Sequence, residues 1–255
     1  MPHIKTRGLV LREVNYKDSD KILTVLTQDY GKLTVKARQC RRRGSRIAAS
    51  AQLLVYSDMT LFEYKDYYTL NEAESVEQFW GIKADVEKLA LCSYFAEVAE
   101  RVAKNGESEN ALLSLVLNTI YALATLDKPP ALVKAAFELK CACLAGYEPF
   151  LSGCARCGKV DPDGALLDLS AGHLLCATCR EAGLGIALPL SQNALAAMRY
   201  VAYGDPRRLF SFALDRNGLQ QMSDACEAFL ITQLERGFHT LDFYKSLMAL
   251  NLPSS

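Results

Sequence analysis

Apolar and polar side chains alternate strictly through Lys32-Leu33-Thr34-Val35-Lys36-Ala37-Arg38, the two-residue period of a strand with one buried face. Comparable short runs rich in Val, Leu, Thr and Tyr occupy residues 8–14, 21–27, 52–56 and 60–64. Turn-forming residues separate them at 15–20, 28–31, 57–58 and 65–66. Five short strands within residues 1–80 predict a small closed barrel. The OB-fold is the commonest such barrel, and a compact sandwich is the alternative.

Past residue 81 the period changes to that of helices. Residues 87–104 carry Leu91, Phe95, Val98 and Val102 on one broad face and stop at Asn105-Gly106. Ser108 is placed to cap a second helix bearing Leu113, Val116, Leu117 and Ile120. Pro129-Pro130 suits the start of a third, with Val133, Phe137, Cys141 and Leu144 before Gly146. Residues 191–203 follow the same period, then a long helix with Leu219, Met222, Cys226, Phe229 and Leu230, which Gly237 would end. Residues 240–250 form a last short helix. These stripes read as core rather than as partner grooves.

One segment breaks the helical pattern. Cys154-Ala155-Arg156-Cys157 is answered by Cys176-Ala177-Thr178-Cys179, a spacing that matches a four-thiolate zinc site. Between the pairs, residues 165–169 and 173–175 read as strands turned by Ser170-Ala171-Gly172, so a hairpin would bring the second pair back to the first. Four sulfurs fill a tetrahedron and leave no open position, so such a metal is structural, one Zn2+ per chain. An iron–sulfur centre or an empty site are the alternatives. The fold class is therefore α+β. An N-terminal OB-fold barrel (residues 1–80) precedes an all-α domain (81–255) interrupted by a four-cysteine zinc module at about 150–185.

Composition adds two constraints. Half of the 255 residues are apolar, enough for one large or two modest domains. Nine cysteines behind no apolar leader suggest a reducing, cytoplasmic setting. No run approaches the ~18 apolar residues of a membrane span, so no membrane partner is expected. Net charge is zero, but it is unevenly spread: residues 1–80 hold 13 basic against 10 acidic side chains. Lys32, Lys36, Arg38, Arg41, Arg42, Arg43 and Arg46 fall in one stretch without an acid. On a strand and its following loop they would track phosphates, as OB-folds on single strands do, or else form a solvated face. Tyr16, Tyr30, Tyr56, Phe62, Tyr64, Tyr67 and Tyr68 lie in the same region, as stacking platforms or as barrel packing. Cys40, between Arg38 and Arg41, is read either as a thiol of lowered pKa or as an ordinary exposed one.

Several chemistries are missing. There is no G-x-x-x-x-G-K-[ST] phosphate loop, and His173 is not followed two residues later by Glu as in zinc deaminases. His3, His173 and His239 stand far apart, and Cys141 and Cys143 would point to different faces of a helix. The positive signals describe a binding protein and no enzyme. A zinc-stabilised protein-interaction scaffold without direct DNA binding is the competing reading.

In order along the chain, the barrel, basic stretch, helices and inserted cysteine module resemble the RecO family of DNA repair and recombination mediators. The residues that carry the resemblance are Gly8-Leu9-Val10-Leu11-Arg12, Asp18-Ser19-Asp20-Lys21-Ile22-Leu23, Gly31 to Arg38 with its Arg-rich tail, and Ala145-Gly146-Tyr147-Glu148-Pro149. The resemblance implies binding of single- and double-stranded DNA and annealing of complementary strands. It further implies contact with the C-terminal tail of single-strand binding protein, and cooperation with RecR to load RecA. A cytoplasmic, nucleoid-associated protein is then expected. Two stretches depart from the family's pattern. Lys36-Ala37-Arg38-Gln39-Cys40-Arg41 stands where members usually have Lys-Gly-Ala before basic residues, and residues 234–245 are less basic than usual.

Overall fold

The computed structural model describes residues 3–65, 67–180 and 185–250. Asp66 of the expected turn at 65–66, residues 181–184 of the expected module and residues 251–255 lie outside them.

The N-terminal strands are β1 (His3–Tyr16), β2 (Asp20–Thr27), β3 (Gly31–Ala37), β4 (Tyr56–Tyr64) and β5 (Tyr67–Glu77). They close into a barrel in the order β1-β2-β3-β5-β4. β4 returns antiparallel to β1, and β3 pairs β5 in parallel, Val35 beside Tyr68 and Lys36 beside Thr69. The alternation read in β3 is realised: Leu33, Val35 and Ala37 point inward with Val10, Leu23, Val25, Met59 and Leu61.

The expectation differs from the structure in the second half of the barrel. Of residues 52–56 only Tyr56 is in a strand, as the first residue of β4; residues 52–55 are not. They end a run of turns over residues 38–55, in which Leu54 is buried with a left-handed φ of 60°. Ser57-Asp58, expected as a turn, lies inside β4, where it pairs with both β1 and β5. The true fifth strand, β5, was not foreseen, because it is mostly polar and buries only Leu70 fully. Its backbone is held by ladders on both sides, which side-chain periodicity does not report.

Among the described residues seven α-helices follow: α1 (Trp80–Lys83), α2 (Val86–Val102), α3 (Asn110–Thr125), α4 (Pro130–Leu144), α5 (Gln192–Tyr203), α6 (Arg216–Leu234) and α7 (His239–Leu250). Asp85, Ser191 and Asp215 cap α2, α5 and α6 by accepting from free N–H groups of the first turn. Two expected helix ends are corrected. The Ser108 hydroxyl donates to the Gln28 carbonyl (2.9 Å). Glu235, at φ 51°, ends α6 before Gly237 is reached, its N–H turning back to the Ile231 and Thr232 carbonyls.

The chain forms two compact units, one running to Thr125 and resuming at Phe238, the other spanning Leu126–Gly237. In the first, α2 packs against α3, α7 and β1. Tyr94 meets Phe238 edge-on at 5.6 Å, and the Thr240 N–H donates to the Glu97 carboxylate (3.0 Å). In the second, α4 lies along α6 and α5. The buried Lys134 ammonium bridges Glu138 and Glu227, each at 2.8 Å. Burial alone would lower the Lys134 pKa, but the two carboxylates reverse this and raise it.

The β2–β3 turn is where backbone geometry is most demanding. Gly31 has φ 61°, and a Cβ there would lie 2.2 Å from the Glu107 carbonyl oxygen and 2.7 Å from that of Lys104. Gly44 has φ 80° but open space around it. Gly31→Ala should therefore cost more than the ~1–2 kcal/mol of a left-handed alanine alone, and Gly44→Ala only about that much. Chemical denaturation of the two variants checks the order.

Candidate metal centre and nucleic-acid interface

The cysteine module is a four-stranded sheet in the order β6-β8-β7-β9, built from β6 (Phe150–Cys154), β7 (Ala165–Asp168), β8 (His173–Leu175) and β9 (Ala187–Leu190). The expected hairpin is β7–β8. Its turn is held by the Asp168 carboxylate, which accepts from the Ser170 and Ala171 N–H groups (3.0 and 2.9 Å), and by Gly172 at φ 65°. β6 and β9 flank it and were not foreseen. β6 runs parallel to β8, so Cys154 at the end of one strand lies beside Cys176, just past the end of the other.

Each C-x2-C pair closes a tight turn. The Gly158 N–H donates to the Cys154 carbonyl (2.9 Å) with Gly158 at φ 73°, and the N–H groups of Cys179 and Arg180 return to the Cys176 carbonyl (both 3.1 Å). All four sulfurs consequently lie within 4.8 Å of one another. A tetrahedral ion with metal–sulfur bonds of ~2.3 Å needs sulfur–sulfur edges of ~3.8 Å. The Sγ atoms of Cys157 and Cys176 stand 3.8 Å apart. Surrounding donors already favour thiolate at one corner. Burial would raise the Cys154 pKa, but the N–H groups of Cys157, Arg156 and Cys176 converge on it and pull it down to about 6. The residues present therefore fit a metal ion, and with four sulfur donors the site has no open position for a substrate.

The module is latched to α5. Arg199 donates from Nε to the Leu151 carbonyl and from a terminal nitrogen to the Asp161 carboxylate, both at 2.7 Å. The Tyr203 hydroxyl accepts from the Leu151 N–H (2.8 Å) and donates to the Pro149 carbonyl (2.9 Å).

The basic stretch lies in the other unit, on the connection from β3 to β4. Cys40, Ile47 and Ala51 turn inward and join the barrel core. At the root of the loop the Asp20 carboxylate accepts from the Gln39 N–H (2.8 Å), and the Arg41 N–H reaches the Ser19 carbonyl (3.0 Å). With its apolar residues committed inward, the loop presents Arg38, Arg41, Arg42, Arg43 and Arg46 to solvent. Among the described residues no carboxylate pairs with any of the five. Cys40 is only 4% exposed, and burial raises its pKa. Neither the lowered pKa nor the exposed thiol expected from its arginine neighbours is found, because the side chain packs into the core away from both guanidinium groups.

The two lysines of β3 sit differently. Lys36 reaches Asp20 (3.2 Å) and lies 5.0 Å from the centre of the Tyr16 ring, next to the arginines. Lys32 is at the opposite end of the strand, its ammonium donating to the Glu100 carbonyl of α2 (2.7 Å). α2 also engages the outer surface of β1 and β2 through Glu100, which accepts from Arg12 (2.9 Å) and Thr24 (3.3 Å). On the β1–β4–β5 side, a groove of about 640 Å³ is lined by Asp29, Asp58, Glu72 and Glu74 along with Lys5 and Arg7. Arg7 is already paired with Asp58 (2.8 Å). The loop side carries five arginines without a carboxylate partner among the described residues, whereas the groove mixes four carboxylates with two cations. Of the region's aromatic residues, Tyr30 and Tyr68 pack on the core, Tyr56 and Phe62 are half-buried, and Tyr16, Tyr64 and Tyr67 are exposed.

Comparison with known proteins agrees with this architecture over nearly the whole chain. Residues 1–79 match the family model "Recombination protein O N terminal", and residues 83–242 match "Recombination protein O C terminal". The chain belongs to the RecO family. Among curated relatives, the DNA repair protein RecO of Acetivibrio thermocellus is 32% identical over 247 residues, covering 97% of this chain and 98% of that one. Those of Symbiobacterium thermophilum (31% over 243 residues) and Dehalococcoides mccartyi (27% over 253 residues) align over 94% and 98% of this chain and 96% and 99% of their own lengths. Family membership identifies the barrel as an OB-fold and gives the chain a role in DNA repair and recombination. No described helix is long and apolar enough to cross a membrane.

The cluster predicts its own chemistry. Purified protein should carry about one metal ion per chain. Cys154→Ser should abolish that content and lower the melting temperature by ~5–10 °C. Cys143→Ser, on α4 and outside the cluster, should leave the metal content unchanged. Elemental analysis and thermal melts of the three proteins check this.

Proposed function

We propose that this chain is a DNA-binding recombination mediator. It binds single- and double-stranded DNA through the β3–β4 loop, anneals complementary strands, and helps to load a recombinase onto protein-coated single strands. The observation that carries the reading is the set of exposed arginines, without carboxylate partners among the described residues, on an OB-fold barrel. Phosphates approached by this loop meet charge that no intramolecular ion pair has already neutralised. Lys36, Arg38, Arg41, Arg42, Arg43 and Arg46 form the contact surface. Lys32, engaged with the end of α2, contributes least.

Annealing follows from the same charge. Two complementary strands repel until their phosphates are screened, and a protein surface that displaces condensed counterions does this without nucleotide hydrolysis. The metal in the cysteine cluster is one structural Zn2+, held by Cys154, Cys157, Cys176 and Cys179. RecR, the C-terminal tail of single-strand binding protein and, indirectly, RecA are the partners that family membership suggests. Work of this kind places the protein in the cytoplasm, at the nucleoid.

Binding should be largely independent of sequence and should weaken steeply with salt. Replacing Arg41, Arg42 and Arg43 together by Ala should lower the log–log salt slope on single strands by up to ~2, with annealing falling in parallel. Affinity measured over a salt series, with melts showing both proteins folded, is the test. A folded triple variant that binds and anneals with the wild-type slope would leave the loop a solvated surface and favour a scaffold that contacts only proteins.

A further inference from the structure

The same surface contains one exposed aromatic ring that the charge argument does not use. Tyr16 ends β1 and is 42% exposed. Two ammonium groups attend the ring, Lys36 at 5.0 Å and Lys17 at 5.5 Å from its centre. Lys36 is fixed in turn by Asp20, the strand partner of Tyr16, which also holds the root of the arginine loop through the Gln39 N–H. One carboxylate thus ties ring, lysine and loop into a single array. Lys17, at φ 52°, begins the short β1–β2 turn, one of the loops that OB-folds use for oligonucleotides.

We propose that Tyr16 is a base-stacking platform that makes this surface favour single-stranded over duplex DNA. The inference rests on the DNA-binding reading above and supplies the strand preference which that reading leaves open. The physical argument is one of access. Arginines and lysines contact phosphates, which both forms of DNA display, so charge alone discriminates little between them. A tyrosine ring gains from a base only if the base's π-face is free, and in a duplex both faces are already stacked on neighbours. Lys17 and Lys36 lie over the ring in the free protein, and a base laid against it takes the place of an ammonium group, which then takes the adjoining phosphate. The barrel's other exposed tyrosines lack this arrangement of ring, paired lysines and adjoining arginines.

The test uses full-length protein with an oligo-dT single strand and a duplex of equal length, each over a salt series. Tyr16→Ala should lose on the order of tenfold in single-strand affinity, with unchanged salt slope and unchanged duplex affinity. Tyr16→Phe should retain wild-type binding, and Tyr121→Ala, which removes an exposed ring on α3, should change nothing. A second readout does not depend on the alanine variant folding. Trp80 is the sole tryptophan of the chain, so Tyr16→Trp in a Trp80→Phe background reports from position 16 alone. Its fluorescence should be quenched by the single strand and not by the duplex. The proposal is overturned if Tyr16→Ala binds single strands like wild type. Equal losses on both forms with a shallower slope would also sink it, since the ring would then only prop the lysines, as would equal quenching by strand and duplex. Wild-type protein that binds neither form would remove the underlying DNA-binding reading as well, an outcome distinct from a failure confined to position 16.

Discussion

Closure of the barrel is the constraint on which the exposed arginine surface, the proposed nucleic-acid interface, depends. β3 pairs in parallel with β5, so the chain leaving β3 cannot turn back into its neighbour and must cross to reach β4. Residues 38–55 make that crossing as consecutive turns, and they stay in place because Cys40, Ile47 and Ala51 are drawn into the core. Burial of these small and medium side chains, worth ~25 cal/mol per Å² of apolar area removed from water, fixes which way the loop faces. The arginines between them are left outward. The outward charge is therefore a by-product of how the loop's apolar residues are buried.

The metal module obeys a different logic. Its strands are short, and their burial is modest beside that of the barrel. What positions the sulfurs is backbone hydrogen bonding: two tight turns, a parallel β6–β8 pairing that brings their starting points together, and an Asp168-capped hairpin. A sheet of this size is marginal without a staple, and four thiolates around one ion would supply it. The Arg199 and Tyr203 contacts then tie the module to α5 through backbone carbonyls and an N–H group.

The first compact unit shows how far element type and packing can diverge. α2, α3 and α7 share the helical period of α4 to α6, yet they pack with the barrel strands or with one another in the unit that contains the barrel. Glu100 and Glu97 illustrate the means. One accepts from Arg12 on β1 and Thr24 on β2, the other from the N–H at the start of α7. Neither contact has a signature in the local sequence, because each joins residues far apart along the chain.

What the sequence determined by itself were the features encoded within a few residues. The alternation of β3, the cysteine spacing, the hairpin turn at Ser170-Ala171-Gly172, Pro130 at the start of α4, and the stretch of basic residues without an acid are all local patterns. Each survives in the structure because its physics is local. β5 was illegible because its polar side chains hide a strand held by neighbours on both sides. Residues 52–55 misled because Leu54 and Val55 are buried within a run of turns, where apolar residues look like those that line a strand. Cys40 misled because its charged neighbours in sequence point away from it in space. The separation of Lys32 from Lys36, and the pairing of Tyr16 with Lys36 across Asp20, exist only once the strands are in register. Long-range pairing and closure decide such things, and no window of sequence contains both partners.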